Sequence, residues 1–308
     1  MRALVAAPAA PGGVELRDVP DVEPEANEAV VEVHAVSLNR GECHALSTAD
    51  EGWRPGWDVA GTVAAEAADG SGPPVGARVV GWRNGGAWAE RAAVRTDHLA
   101  RIPDELSFEV ASTLPVAGLT AVGVLSVIGS LLGRRVAITG GAGGVGRFAI
   151  QLAGMAGAHV TAIVGRPERA AGLEELGADD VVVGLEPEGE PFDLVAESVG
   201  GASLAAAVSR LSAEGVVVSF GNSSNEPATI DPRALYRKGA PAILGYFVTY
   251  ELLRGRIGTS RLAALAALVA EGRLTAPIDL RLPWGQATTA IDALMGRRVN
   301  GKAVLAVR

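Results

Sequence analysis

The sequence predicts an α/β protein in which a small β-rich unit accompanies a doubly wound parallel sheet. Three observations carry this. The first hundred residues or so alternate short β-rich runs with turns rich in Gly, Pro and Asp. From Arg134 onward, short apolar strands alternate with helix-length segments, the pattern of βαβ units. A glycine motif stands where one such strand opens into a helix. A length of 308 residues suits two domains. With 48% hydrophobic and 20% charged residues, extended disorder is excluded.

In the β-rich part the strand candidates are residues 16–19, 29–36, 59–64, 78–82 and 88–94. Turns such as Pro11-Gly12-Gly13 and Asn84-Gly85-Gly86 separate them, which suggests a partly open barrel. A helix start is expected at Ser107, whose hydroxyl caps an apolar run. In the second part, strands are expected at 136–139, 159–164, 181–183, 194–196 and 216–220, with helices across 145–156 and 167–176. Further helices at 261–271 and 286–295 precede a last strand at 303–307, which can return to the first domain and make it discontinuous.

Composition narrows the function. The formal charge of −8 argues against a nucleic-acid partner, which normally leaves a basic footprint. The single cysteine, Cys43, excludes an intramolecular disulfide and any zinc site built from several cysteines. The first residues run into Pro8 and Pro11 without a long apolar core, and no uninterrupted apolar stretch of about 20 residues occurs. The expectation is a soluble, reduced, cytoplasmic protein that does not enter a membrane.

Gly141-Ala142-Gly143-Gly144-Val145-Gly146 fits G-x-G-x-x-G directly after a strand. Glycines let the backbone approach a pyrophosphate, whose charge meets free amides at the helix N-terminus. The cofactor-binding candidates are therefore Gly141, Gly143, Gly144, Val145 and Gly146. In NAD sites an acidic residue about 20 residues further on accepts the ribose 2′-hydroxyl. Here the next strand ends in Gly165-Arg166-Pro167-Glu168-Arg169. Arg166 and Arg169 stand where planar guanidinium forks would meet a 2′-phosphate, which favours NADPH; ordinary surface charge is the alternative.

The chain resembles the medium-chain dehydrogenase/reductase superfamily, in its zinc-independent quinone oxidoreductase and enoyl reductase branch. The resemblance rests on Ser37-Leu38-Asn39, Gly56-Trp57-Asp58-Val59-Ala60-Gly61, Val75-Gly76-Ala77-Arg78-Val79, the run from Leu114 to Ala121, the glycine motif, Gln151-Leu152-Ala153, Leu176-Gly177-Ala178-Asp179 and Asn300-Gly301-Lys302. It implies a GroES-like β-rich domain (1–110 and 258–308) and an inserted Rossmann domain (111–257), with NADPH in the cleft between them. Zinc-dependent members carry a Cys where Asn39 stands and a His where Trp57 stands, so the resemblance implies no metal.

Without a Lewis acid, hydride delivery suits an acceptor that is already polarised, such as a quinone or an α,β-unsaturated carbonyl. Asn39 is the candidate catalytic donor to the developing oxyanion, or a partner of the nicotinamide ribose, with a local cap as its alternative. The resemblance places Thr120, Phe220, Gly221 and Lys302 on the cofactor. Relatives often have a Tyr soon after the Asn, and residues 42–54 contain none. Tyr246 is the remaining candidate for a catalytic, cofactor-adjacent tyrosine, with a plain edge-strand aromatic as the other reading.

Arg40, Trp53 and Trp57 are the substrate-binding candidates, the tryptophans as an apolar wall for a flat ligand or as ordinary core. Asp58 reads as a buried structural carboxylate, and Cys43 as a packing residue. A homodimer through the Rossmann sheet edge, at 241–250, is the family expectation. The alternatives are a catalytically silent cofactor-binding accessory protein and a non-redox enzyme on the same fold.

Overall fold

The computed structural model describes residues 1–236, 239–255 and 258–307. The chain divides into two compact units, one formed by residues 1–119 with the segment from Thr249 onward, the other by Thr120–Val248. The first boundary lies beyond the expected 110/111, because the helix Phe108–Ser112 packs on the strands Glu28–Ser37 and Asp58–Ala65 of the first unit. Ser107 caps that helix, accepting a hydrogen bond from Val110 N at 3.2 Å. The chain also rejoins the first unit earlier than expected: His98 Nε2 lies 3.1 Å from Leu252 O. The expected second boundary, 257/258, touches residue 257, outside the described residues.

The first unit is built on a mostly antiparallel sheet, in which Ile278–Pro283 runs parallel to Lys302–Ala306. Its strands run in the order Ile278–Pro283, Lys302–Ala306, Glu28–Ser37, Asp58–Ala65, Arg78–Trp82 and Leu99–Arg101, with Arg91–Arg95 also paired to Glu28–Ser37. The last strand lies antiparallel to Glu28–Ser37, with Val304 opposite Ser37. A separate pair, Arg2–Ala6 with Val14–Asp18, flanks them. Val31, Val33, Val59, Val79, Trp88 and Leu305 alternate inward and form the core. Each such side chain, fully buried, contributes about 1.5–3 kcal/mol.

The second unit is a six-stranded parallel sheet. Its order is Asp180–Val183, His159–Val164, Arg135–Thr139, Phe192–Glu197, Leu211–Ser219 and Ala242–Gly245. Numbered within the unit this is 3-2-1-4-5-6, the Rossmann order, whose direction reverses between Arg135–Thr139 and Phe192–Glu197. Val136 is opposite Val160 on one side and Leu194 on the other. The central strands are almost wholly apolar because both faces are covered.

The helix expected across 167–176 does not form. Only a 3₁₀ turn, Pro167–Arg169, is present, and Gly172 at φ +74° ends helical continuity. Among the described residues no helix is long and apolar enough to cross a membrane.

Candidate cofactor and active site

The glycine motif occupies the turn between the strand Arg135–Thr139 and the helix Gly144–Met155. A Cβ at Gly146 would lie 2.5 Å from Gly140 O and 2.7 Å from Gly141 Cα, so only glycine lets the helix start this close to the turn. Gly140 itself takes φ +63°. Gly143 caps the helix with no side-chain acceptor, so the first helical amides are left for a ligand oxyanion. Gly141 N donates to Ile163 O at 3.0 Å, fastening the turn to the second strand. The cradle fits a pyrophosphate.

Arg166, exposed, precedes the 3₁₀ turn that carries Arg169, just past the end of His159–Val164. Arg147, one residue after the motif, links the two regions. Its Nη2 donates to Ala171 O at 3.0 Å and its Nε to Ala142 O at 3.4 Å. The arginine-bearing segment is thereby held beside the glycine turn.

Glu197 was not anticipated. It ends the fourth strand fully buried and accepts from Val199 N at 2.9 Å, Gly200 N at 3.1 Å and Ser203 Oγ at 3.0 Å. The carboxylate thus fixes the turn into the helix Gly201–Ser209, a favourable place for negative charge. Phe220 and Gly221 follow the fifth strand beside it: Phe220 N donates to Glu197 O at 2.9 Å, and a Cβ at Gly221 would lie 3.1 Å from Ser198 O. Its sequence signal was a carboxylate closing an apolar strand just before Gly200-Gly201.

In the first unit, five polar side chains form one buried network. Asn39 Nδ2 donates to Asp58 Oδ2 at 2.8 Å and to Glu42 Oε1 at 3.1 Å, while its Oδ1 accepts from Lys302 Nζ at 2.5 Å. Asp58 also accepts from Ser37 Oγ at 2.6 Å and from Val116 N at 2.9 Å. Glu42 accepts from Asn39 N at 2.7 Å and Trp57 N at 2.8 Å. Burial and the charge of Asp58 push Glu42 up to about 8, against the pull of Lys302 and the Asn39 hydrogen bonds.

Both amide hydrogens of Asn39 go to carboxyl oxygens, one on Asp58 and one on Glu42. Lys302 likewise donates to Leu38 O at 2.8 Å, to Asn39 and to Asp58, and is 3% exposed. Its three hydrogens are thus committed within the unit. Asp58 is the buried, hydrogen-bonded carboxylate that its sequence position suggested. Cys43 is buried, and burial and Glu42 raise its thiol well above the ordinary range, as suits a packing residue.

The remaining candidates separate. Arg40 Nη1 donates to Leu294 O and Met295 O, both at 3.3 Å, tying its short helix to the helix Ala287–Met295. Trp57 lies over the first turn of that short helix, since a Cβ at Gly41 would meet its Cη2 at 2.8 Å. Trp53 is half-buried and packs on the barrel core. Thr120 is buried in the helix Leu119–Leu125. Tyr246, just past the outermost strand, buries its hydroxyl over Gly123 of that helix.

Residues 25–104 match the alcohol dehydrogenase GroES-like domain, and residues 176–305 match the family described as zinc-binding dehydrogenase. The chain is 31% identical over 320 residues to the "Probable zinc-binding oxidoreductase, mitochondrial" of Arthroderma benhamiae, covering 96% of this chain and 92% of the relative. It is 28% identical to the quinone oxidoreductase of Pseudomonas aeruginosa, with 96% of each covered. Among solved structures, a mycobacterial protein complexed with NADPH superposes with a TM-score of 0.89 at 27% identity, covering 99% of this chain and 100% of that one. The quinone oxidoreductase from Coxiella burnetii gives 0.86 at 27%, covering 100% and 99%.

Two of these descriptions name zinc. Among the described residues no group of three or more His, Cys, Asp or Glu could hold a metal ion. The positions at which the family resemblance puts zinc ligands hold Asn39, whose amide is committed, and Trp57. The strand order of the second unit, the split β-rich unit and a full-length relationship at 31% identity converge: this chain belongs to the medium-chain dehydrogenase/reductase superfamily, in the quinone oxidoreductase branch.

Proposed function

We propose that the protein is an NADPH-dependent reductase that delivers hydride to a quinone or an α,β-unsaturated carbonyl without zinc. The observation that carries this reading is the Asn39–Asp58–Glu42–Lys302 network, which fills the metal-ligand region with a closed set of hydrogen bonds. A site without a Lewis acid suits an acceptor whose own conjugation spreads the developing charge. The mycobacterial neighbour complexed with NADPH and the relatives named as quinone oxidoreductases support the cofactor and the acceptor class.

When bound, the dihydronicotinamide supplies the hydride. The residues of this chain bind and orient. The glycine turn and the first amides of Gly144–Met155 hold the pyrophosphate, and Arg166 and Arg169 take the 2′-phosphate. Thr120, Phe220 and Gly221 stand on the nicotinamide side. Trp57, braced by Glu42 through its backbone amide, gives a flat acceptor an apolar face. With the Tyr246 hydroxyl buried and the Asn39 amide committed, solvent supplies the proton to the reduced acceptor. The outer strand Ala242–Gly245 pairs with its counterpart in a second copy, making a homodimer.

The test is loss of reduced-nicotinamide absorbance with a panel of quinones and enones. Turnover with NADPH is expected; no oxidation above background with any acceptor would leave a silent accessory protein as the better reading.

A further inference from the structure

Most arginines of the first unit have an evident partner. Arg2 pairs with Glu90, Arg17 with Glu15 and Glu51, Arg95 with Asp97, and Arg281 with Glu109. Arg54 and Arg83 break this pattern. Both are half-buried, and Arg54 Nε and Nη2 and Arg83 Nε are sealed from solvent with no hydrogen-bond partner among the described residues. Neither belongs to an ion pair among the described residues. Leaving buried guanidinium donors unsatisfied is costly, and such groups are rare without a reason.

The two side chains belong to one place. Arg54 lies in Trp53-Arg54-Pro55-Gly56-Trp57, and its carbonyl accepts from Gly86 N at 2.8 Å. Arg83 N donates to Trp57 O at 3.0 Å. A Cβ at Gly86 would come 3.4 Å from Arg83 Cζ, so the guanidinium lies over the Gly85-Gly86 turn, where both glycines take positive φ (+91° and +79°). The two cations sense each other: burial lowers the affinity of both for their protons, and Arg54 lowers that of Arg83 further. Asp21 and Glu28 are the acids that act on them, and both are engaged, Asp21 with Arg91 and Glu28 with the Glu25 amide. A third orphan donor adjoins: Trp88 Nε1 is buried without a partner among the described residues, on the ring edge whose Cδ1 faces Gly56.

We infer that Arg54 and Arg83 form a subsite for the oxyanion, carboxylate or phosphate, of a small molecule lying beside Trp53 and Trp57. An oxyanion against the exposed parts of the two half-buried guanidiniums offsets the repulsion between two like charges. As a statement about the acceptor, that it is acidic as well as conjugated, this rests on the reductase reading. As a statement about anion binding it stands alone.

The test titrates the cofactor-free full chain with benzoate, with inorganic phosphate and with neutral benzamide, by calorimetry. Saturable binding of benzoate or phosphate is expected, at least tenfold tighter than benzamide. Arg54→Gln and Arg83→Gln are each expected to weaken it at least tenfold. The tighter of the two anions names the group. Arg54→Lys and Arg83→Lys, which keep the charge and lose the fork, serve where a glutamine variant does not fold, and they too should weaken binding. Unliganded Arg83→Gln should melt no lower than wild type, because the buried Nε has no hydrogen-bond partner among the described residues; a loss of thermal stability would assign Arg83 a structural role instead.

No saturable anion binding by wild type, or binding unchanged in the variants, overturns the site. NADPH oxidation with an uncharged quinone is measured in parallel. Turnover without anion binding removes this subsite alone; anion binding without turnover by any acceptor removes the reductase reading alone.

Discussion

Lys302 Nζ lies 3.4 Å from Asp58 Oδ2, with the two side chains 4% and 0% exposed. The final strand thereby places its first residue against the start of Asp58–Ala65, through a cation whose other hydrogens go to Leu38 O and Asn39. Breaking a buried pair from one side strands the other charge, at a cost of about 3–5 kcal/mol. Lys302→Met should lose that much in urea unfolding at neutral pH, and adding Asp58→Asn should recover part of it. Equal losses in the single and double variants would mean that the two charges are not coupled.

Glu42 gives the fold a pH signature. Its carboxyl rises from 4.5 to about 8, first through burial and then through Asp58. A group raised on folding holds its proton more tightly in the native state. Its stabilising contribution is therefore complete below the unfolded value and is lost as pH climbs through the folded one. Stability should fall between about pH 5 and about pH 8, by no more than a few kcal/mol. Glu42→Gln should flatten that slope, read from denaturant midpoints across the range; an unchanged slope would place its source elsewhere.

Gly146→Ala tests the cradle. The new methyl would sit 2.5 Å from Gly140 O, so either the turn or the helix start must move. NADPH affinity should drop at least tenfold, because the amides that meet the pyrophosphate shift with the helix, an effect on the order of 1.4 kcal/mol or more. Fluorescence titration of the reduced cofactor measures it, and wild-type affinity in the variant would show that the turn relaxes freely.

Much of this was legible before any coordinates. The Rossmann half announced itself because strand, glycine turn and helix are local features with strict residue requirements, and the Ser107 cap was readable for the same reason. The helix across 167–176 failed because Gly172 takes a left-handed conformation that an otherwise helix-compatible run conceals. The network failed differently. Asn39, Asp58 and Lys302 each drew notice singly, yet their roles depend on three strands meeting, and Lys302 lies 263 residues from Asn39. Glu42 was passed over because one acid in a short helix looks like surface charge until its neighbours bury it. Arg54 and Arg83 stand out only once most arginines of their unit are seen to be paired.

Arg166→Ala with Arg169→Ala addresses cofactor choice. The arginine-bearing segment is held beside the glycine turn by Arg147, so removing both guanidiniums should strip the 2′-phosphate contacts without moving the pyrophosphate cradle. KM for NADPH should rise about tenfold to a hundredfold, as two charge-assisted hydrogen bonds of about 1.5–3 kcal/mol each allow, with NADH little affected. A preference unchanged from wild type would make them ordinary surface charge.

The outer strand makes the last prediction. Among the described residues Ala242–Gly245 pairs on one side, with Leu211–Ser219, and its other edge has no strand partner. Ile243 is 36% exposed, Leu244 43%, and Phe247 just beyond 49%. An apolar edge of this kind is an open template for strand pairing, and a closed two-fold contact is the usual way to cover it. Light scattering should return twice the chain mass for wild type. Ile243→Lys combined with Leu244→Lys should return a monomer, because the contact would bring like charges face to face across its axis. A wild-type mass of one chain at micromolar concentration would mean that the edge is tolerated bare.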